Sequence, residues 1–429
     1  MVTRTCWALV VAAACFFPQA ATAQSAASAA ASVHARIVSV KAIADRIVID
    51  GSGADWQGIP AFGGSSGAID DPSRHITAVA IAPRAEDLLV LLRTEGRPSQ
   101  EDLAFWLNVD YMGSQAEDVQ LGIAQRGPHV LWVYPQGQPA TSGTLAGIQY
   151  AIDEVVEIRI PYVVLARALP GPMADALQGA AARSWIRVSP FTWNSRTRAV
   201  TAWGAAVASY RLVPGLTPLD PPLPAPANAA RALPLPLAGK WYVGQGAFGP
   251  WTHQKLWAYD LYIVDATLHP ARVRESRNPA DYYSWDQSVI APAGGTVIRS
   301  RSTAQDQAAR QPSQNTDPAN ELYLDIGERT GYFFAHFRQG TPTANAGENV
   351  MPGQALGRIG HSGSTTWPHL HIGLWRLPEG RETLPMALAR VRVGLNPDAD
   401  DPWARSLDAW DIREGFFVEQ LPSPHRKPK

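Results

Sequence analysis

Residues 368–375 read PHLHIGLW, an apolar, β-prone stretch interrupted by His369 and His371. On a strand, residues i and i+2 project from one face, so the two imidazoles point together while Leu370 and Ile372 turn into packing behind them. Two imidazoles on one wall suit a zinc site, where one nitrogen holds metal and another moves a proton or steadies a developing charge. Alone, such a pair is equally a strand face carrying two solvated histidines. The rest of the second half weighs against that. His253 and Asp260 bound the segment HQKLWAYD at 253–260, and His336 ends YFFAH at 332–336. A histidine and a carboxylate early, joined by a histidine from a distant strand, can supply three zinc ligands and leave one position for water, the pattern of a catalytic zinc. A closed thiolate site is excluded, because Cys6 and Cys15 are the only cysteines.

Elements must position these groups, and length and composition bound what those elements are. At 429 residues the chain exceeds one ordinary core, so two domains are expected. Charged residues make up 17% and the formal net charge is −1, which gives no global pull toward nucleic acid or an anionic membrane surface. Arg4, the apolar run 7–17 and ATA at 21–23 read as an export signal over residues 1–23. That run is too short to span a bilayer and no later segment qualifies, so the expected location is periplasmic or secreted, with no transmembrane segment. Both cysteines fall inside the signal, which leaves a mature protein without disulfides.

From 35 to 212 short apolar runs alternate with turn residues: 46–50, 76–81, 87–92, 105–109, 130–134 and 155–160. Runs of this size and spacing predict an all-β sandwich, with one helical piece near 162–169 after Pro161. Prolines crowd residues 213–236 and predict an extended linker. Strand-like runs return from 237 to 398 at 288–291, 296–299, 321–326, 331–337 and 356–359, with a short helix expected near 379–390. Residues 399–429 are charged and are expected to form a frayed tail.

Two resemblances follow from longer motifs. IDGSGADW at 49–56, RHIT at 74–77 and DLLV at 87–90 make residues 40–212 resemble the family 9 carbohydrate-binding-module-like sandwiches. That resemblance implies a carbohydrate partner bound by aromatics, although Trp56, Trp106, Trp132 and Trp193 read more naturally as core. In the second half, HQKLWAYD at 253–260, SVIAPAGGTV at 288–297, YFFAH at 332–336, VMPGQALGRIG at 350–360 and SGSTTWPHLH at 362–371 occur in order. Residues 234–375 thereby resemble the lysostaphin/LytM-type zinc endopeptidases that cut peptide bonds in peptidoglycan. The resemblance implies one zinc ion held by His253, Asp260 and His371, with His336 and His369 as the catalytic pair that moves the proton and stabilises the oxyanion. Six residues separate His253 from Asp260, more than in many members of that family, and Asp265 is the alternative carboxylate. About 27 residues then precede Ser288, an insertion whose His269, Tyr282, Tyr283 and Trp285 either rim the cleft or pack on themselves. Ser362, Thr365 and Thr366 are candidates to orient the site, and His361 reads as a turn residue.

The expectation is therefore an all-β chain, a sandwich joined by a Pro-rich linker to a metallopeptidase domain, acting on peptidoglycan. Two other classes stay open: an inactive relative that regulates other wall hydrolases, and a zinc endopeptidase with a protein substrate. The filled set of five site positions favours an enzyme.

Overall fold

The computed structural model describes residues 42–63, 71–110, 119–123, 129–133, 145–168, 174, 186–194, 196, 199–203, 207–208, 231–247, 253, 256–274, 276–310, 318–378, 382–394, 401 and 404–422. The expected export signal, both cysteines and residues 213–230 of the expected linker lie outside them. No helix among the described residues is long and apolar enough to cross a membrane.

Continuous apolar runs set the first unit. One antiparallel sheet orders Ala61–Gly63, Ile76–Pro83, Asp87–Thr94, Val156–Pro161 and Gln149–Ile152. A second orders Ala199–Trp203, Arg187–Asn194, Phe105–Asp110, Val119–Ile123 and His129–Val133, with Val207–Ala208 also paired to Arg187–Asn194. Val79, Ile81, Leu88 and Val90 of the first sheet share one core with Phe105, Leu107, Leu121 and Val188 of the second. The outward Ala80, Ala82, Leu89 and Leu91 are covered in turn by Trp56. Burial on both faces explains why the 87–92 run does not alternate with polar residues. Each such leucine contributes about 1.5–3 kcal/mol over an exposed one. Helix Tyr162–Ala168 follows Pro161, as its sequence predicts. The run 46–50 is an exception: it forms no strand.

The carbohydrate-like motif has a structural use. Glu157 is fully buried and accepts the backbone N–H groups of Asp50 and Gly51 and the indole N–H of Trp56, at 2.8, 2.6 and 2.7 Å. Asp55 accepts the N–H of Val48. Trp106 lies stacked on Phe191, and Trp193 is half-buried. The Trp132 side chain lies outside the described residues. None of this supports a sugar platform.

The second unit is built on a sheet of twelve described strands, beside a two-stranded sheet of Ser288–Ile290 and Ala355–Arg358. Its main path runs Arg231–Leu233, Met386–Gly394, Phe417–Gln420, Lys240–Gln245, Ala258–Tyr262, Leu370–Arg376, Thr330–Ala335, Glu321–Asp325, Gly295–Arg301 and Asn349–Val350. Only the first pairing, between Arg231–Leu233 and Met386–Gly394, is parallel among those described. Three sequence expectations need correction here. The helix expected at 379–390 is instead the pair of strands Thr383–Leu384 and Met386–Gly394. Met386, Leu388, Val391 and Val393 enter the core at two-residue spacing, offset once where Arg390 takes φ 53°. The tail expected to fray carries strands Arg405–Asp411 and Phe417–Gln420, and Trp410, Ile412, Phe416 and Val418 are buried in the same core. The linker ends earlier than residue 236, since Leu233, Leu235 and Leu237 alternate into that core as well.

Candidate metal centre

Register brings the expected residues together. Ala258–Tyr262 pairs with Leu370–Arg376 so that Asp260 faces His371, while Gln245 faces Asp260 on the next strand out. Thr330–Ala335 pairs on the other side with Ala335 opposite His371, and His336 follows immediately at φ 67°. One cross-strand row therefore runs Gln245, Asp260, His371, Ala335, Glu321. Side chains in such a row share a face of the sheet.

Asp260 Oδ1 is the hub. It lies 2.9 Å from His371 Nδ1, 3.4 Å from His253 Nε2 and 3.3 Å from His369 Nε2. His253 Nε2 and His371 Nδ1 are 3.2 Å apart. His253, Asp260 and His371 thus form a triangle of donor atoms with edges of 2.9, 3.2 and 3.4 Å. A tetrahedral zinc with bonds of about 2.0–2.2 Å sets its N and O donors roughly 3.3–3.6 Å apart, so the triangle fits that ion with slight contraction. Nitrogen and carboxylate oxygen are also ligand types that zinc takes.

Two of the three donors, and both neighbouring histidines, are oriented from behind. His253 is fully buried and its Nδ1–H donates to the Gly246 carbonyl at 2.9 Å, which turns Nε2 toward the triangle. Gln245 Nε2 donates to Asp260 Oδ2 at 2.8 Å and leaves Oδ1 for the histidines. His369 Nδ1–H donates to the Trp367 carbonyl at 2.8 Å, with Thr365 Oγ1 3.1 Å away, so His369 also presents Nε2. His336 Nδ1–H donates to the Ser362 carbonyl at 2.8 Å. The His336 and His369 ring centroids are 4.7 Å apart, and His336 lies 5.8 Å from the His371 ring. Ser362 is itself fixed: its hydroxyl donates to Phe337 O and accepts from Asn320 N–H. The next residue, Gly363, sits at φ 81° with its would-be Cβ 2.6 Å from Ala319, a turn that only glycine allows.

The electrostatics follow from burial and the single carboxylate. Burial works to raise the Asp260 pKa, yet His253 and His369 hold it well below the usual carboxylate range. Burial opposes a charge on His253, but Asp260 outweighs it and raises the imidazole's pKa. For His336, burial and then the neighbouring His369 and His371 push the pKa well down. Burial also lowers His371.

Other candidates sit elsewhere. Asp265 Oδ1 accepts from Thr267 N, Thr267 Oγ1 and His269 N, so it closes a local turn and stands outside the triangle. In the insertion, His269 donates or accepts at the Ala271 backbone, Tyr282 packs with Ala271 and Ala309, Tyr283 carries Arg272, and Trp285 carries Arg338. These aromatics pack on the insertion and its neighbours. His361 is more than a turn residue: it is fully buried, its ring bonds Gln307 O, and burial takes its pKa down to about 4. Thr366 contributes through its backbone, its carbonyl accepting from Arg310 N–H. Sequence reasoning missed Gln245 and Gly246. The short strand 240–245 ahead of His253 was the one available pointer to them.

No protein-family model matches the chain, and no curated protein matches it. Among solved structures the chain is similar to the catalytic domain of the antimicrobial peptidase lysostaphin from Staphylococcus simulans, at 15% identity over 33% of this chain and 82% of that one, with TM-score 0.22. It is similar to the M23 metalloprotease pseudoalterin from the deep sea, at 18% identity over 42% and 97%, with TM-score 0.25. It is also similar to the catalytic domain of the prophage-encoded M23 protein EnpA from Enterococcus faecalis, at 16% identity over 40% and 98%, with TM-score 0.24. At these identities and scores no activity carries over, and the chemistry of the site is read from its own atoms. The matches lend no support to the carbohydrate-binding resemblance.

Proposed function

We propose that the chain is an exported zinc-dependent endopeptidase that hydrolyses peptide bonds in peptidoglycan. The observation that carries this reading is the triangle of His253 Nε2, Asp260 Oδ1 and His371 Nδ1, backed by two further histidines on one side. These three residues would hold the ion. Bound there, zinc supplies a Lewis acid that polarises a carbonyl and makes water a nucleophile near neutral pH. The remaining steps belong to the chain. His336 and His369 each have Nδ1 occupied by a backbone carbonyl, so each offers Nε2 to the reacting centre. One accepts the proton of the attacking water, and the other donates to the developing oxyanion. Gln245 keeps the Asp260 carboxylate from rotating.

The choice of peptidoglycan is supported by the ordered motifs across residues 234–375 and by the export signal read at residues 1–23, which puts the protein in the periplasm or outside the cell. The sandwich and the long sheet are two domains of one chain. Purified sacculi incubated with the protein, with and without a chelator, test the reading. Soluble muropeptides with new amino termini, lost on chelation and restored by zinc, are expected. Zinc bound without any product would favour a protein substrate or a regulatory role.

A further inference from the structure

The sandwich touches the metal centre's supports. Arg187, on the strand Arg187–Asn194, is buried and lies opposite Asp110 in the sheet, with Nη2 3.1 Å from Asp110 Oδ2. Its Nη1 reaches across to the second unit, 3.5 Å from Glu414 Oε1. Glu414 is buried too, and its other oxygen accepts the Gly246 N–H at 3.2 Å. The Gly246 carbonyl is the acceptor that orients His253. The chain of contacts therefore runs Asp110, Arg187, Glu414, Gly246, His253. Gly246 also packs in van der Waals contact with the Glu414 backbone and Cβ.

Two contacts elsewhere show the same docking. Phe62 of the strand Ala61–Gly63 packs on the cluster of Tyr242, Val264, Leu268 and Phe417. His75 Nε2 lies 2.7 Å from Arg310 Nη2, while its Nδ1 pairs with Glu95 at 2.8 Å. Arg310 N–H in turn holds the Thr366 carbonyl, beside the Trp367 carbonyl that orients His369.

We propose that Arg187 and Glu414 are positioning residues of the metal centre, so that the sandwich is a working part of the site rather than a tethered targeting module. This rests on the zinc reading above. Removing one partner of a buried ion pair strands the other charge, so Arg187 and its two carboxylates hold one another in place. Here the placement fixed is that of the Gly246 N–H, on the same residue whose carbonyl sets the tautomer and aim of His253. Groups that bond a metal-binding histidine directly, as the Gly246 carbonyl does, change metal affinity by about 10–100-fold when removed, and Glu414 and Arg187 act through that group.

The test is the zinc dissociation constant of the full chain, measured by competition with a chromophoric chelator, with circular dichroism and melting to verify folding. Glu414→Ala removes the acceptor from Gly246 while Arg187 keeps Asp110, and it is expected to weaken zinc by about tenfold, the low end of that range. Glu414→Gln keeps an oxygen for the Gly246 N–H and is expected to recover most of that affinity, which a merely structural role would not produce. Arg187→Met is expected to weaken zinc by a similar factor from the far side of the domain boundary. Arg97→Ala, which breaks an ion pair with Asp153 on the sandwich surface, is the control and is expected to leave affinity unchanged. Folded Glu414→Ala and Arg187→Met proteins that bind zinc within twofold of the parent overturn the proposal and leave the zinc reading intact. If Arg187→Met does not fold, the Ala and Gln variants of Glu414 decide alone. A parent protein that binds no zinc overturns both.

Discussion

The buried polar residues of the two sheets behave in opposite ways. In the sandwich, the Glu157 carboxylate meets three N–H donors, and every group involved is a donor or an acceptor as its neighbour requires. In the long sheet, three imidazole nitrogens surround one oxygen of Asp260 within 3.4 Å, with two of those nitrogens facing each other. Neutral imidazoles carry one proton each, and those of His253, His336 and His369 are already given to backbone carbonyls. Too few protons remain for a full set of hydrogen bonds around Asp260. A mutually satisfied carboxylate needs nothing further, whereas crowded acceptors suit a cation, as the zinc reading proposes.

Changes on either side of that contrast test it. His371→Ala or Asp260→Ala is expected to abolish stoichiometric zinc binding and muropeptide release, read by plasma emission analysis and by chromatography of digested sacculi. His336→Ala is expected to keep the zinc and lose about 10²–10⁴-fold in turnover. Equal zinc content in His371→Ala and His336→Ala proteins would contradict the division of roles. Glu157→Ala reverses the pattern, since it strands buried donors and costs about 3 kcal/mol or more of unfolding free energy in a denaturant titration while zinc stoichiometry holds. Asp265→Ala is expected to cost about 1 kcal/mol through loss of its turn, with zinc content unchanged. The smallest effect is a pH dependence. Burial alone would raise the Asp87 pKa, but Arg84 and Arg159 lower it below its ordinary value. A depressed folded pKa gives stability that is present above the unfolded pKa and is lost as pH falls through the folded one. Asp87→Asn should therefore lower stability at neutral pH and flatten the acid limb, the two proteins converging as pH falls through the folded pKa, in urea titrations from neutral pH down through that window.

What the sequence disclosed depended on the distance between partners. The two-residue spacing of His369 and His371 foretold a shared face, and both rings turn toward Asp260. The sandwich was legible because its strands are continuous apolar runs that pair mostly with near neighbours. The supports of the site were not. Glu414 bonds a residue 168 positions away, and no local pattern encodes that. Hidden alternation caused the strand errors. Prolines masked Leu233, Leu235 and Leu237, surface charges masked Trp410 through Val418, and one offset at Arg390 made a strand resemble a helix. His361 was misjudged because a glycine and a serine beside it suggested a turn, and its burial comes from segments far along the chain.

The strand Phe417–Gln420 lies between Lys240–Gln245 and Met386–Gly394, in the interior of the sheet. A polypeptide clipped or halted before residue 417 would leave two raw strand edges where that seam closes, and such edges recruit foreign strands or degradation. A stalled or trimmed product would leave the long sheet open along that seam, and the sheet closes only when its far end is in place.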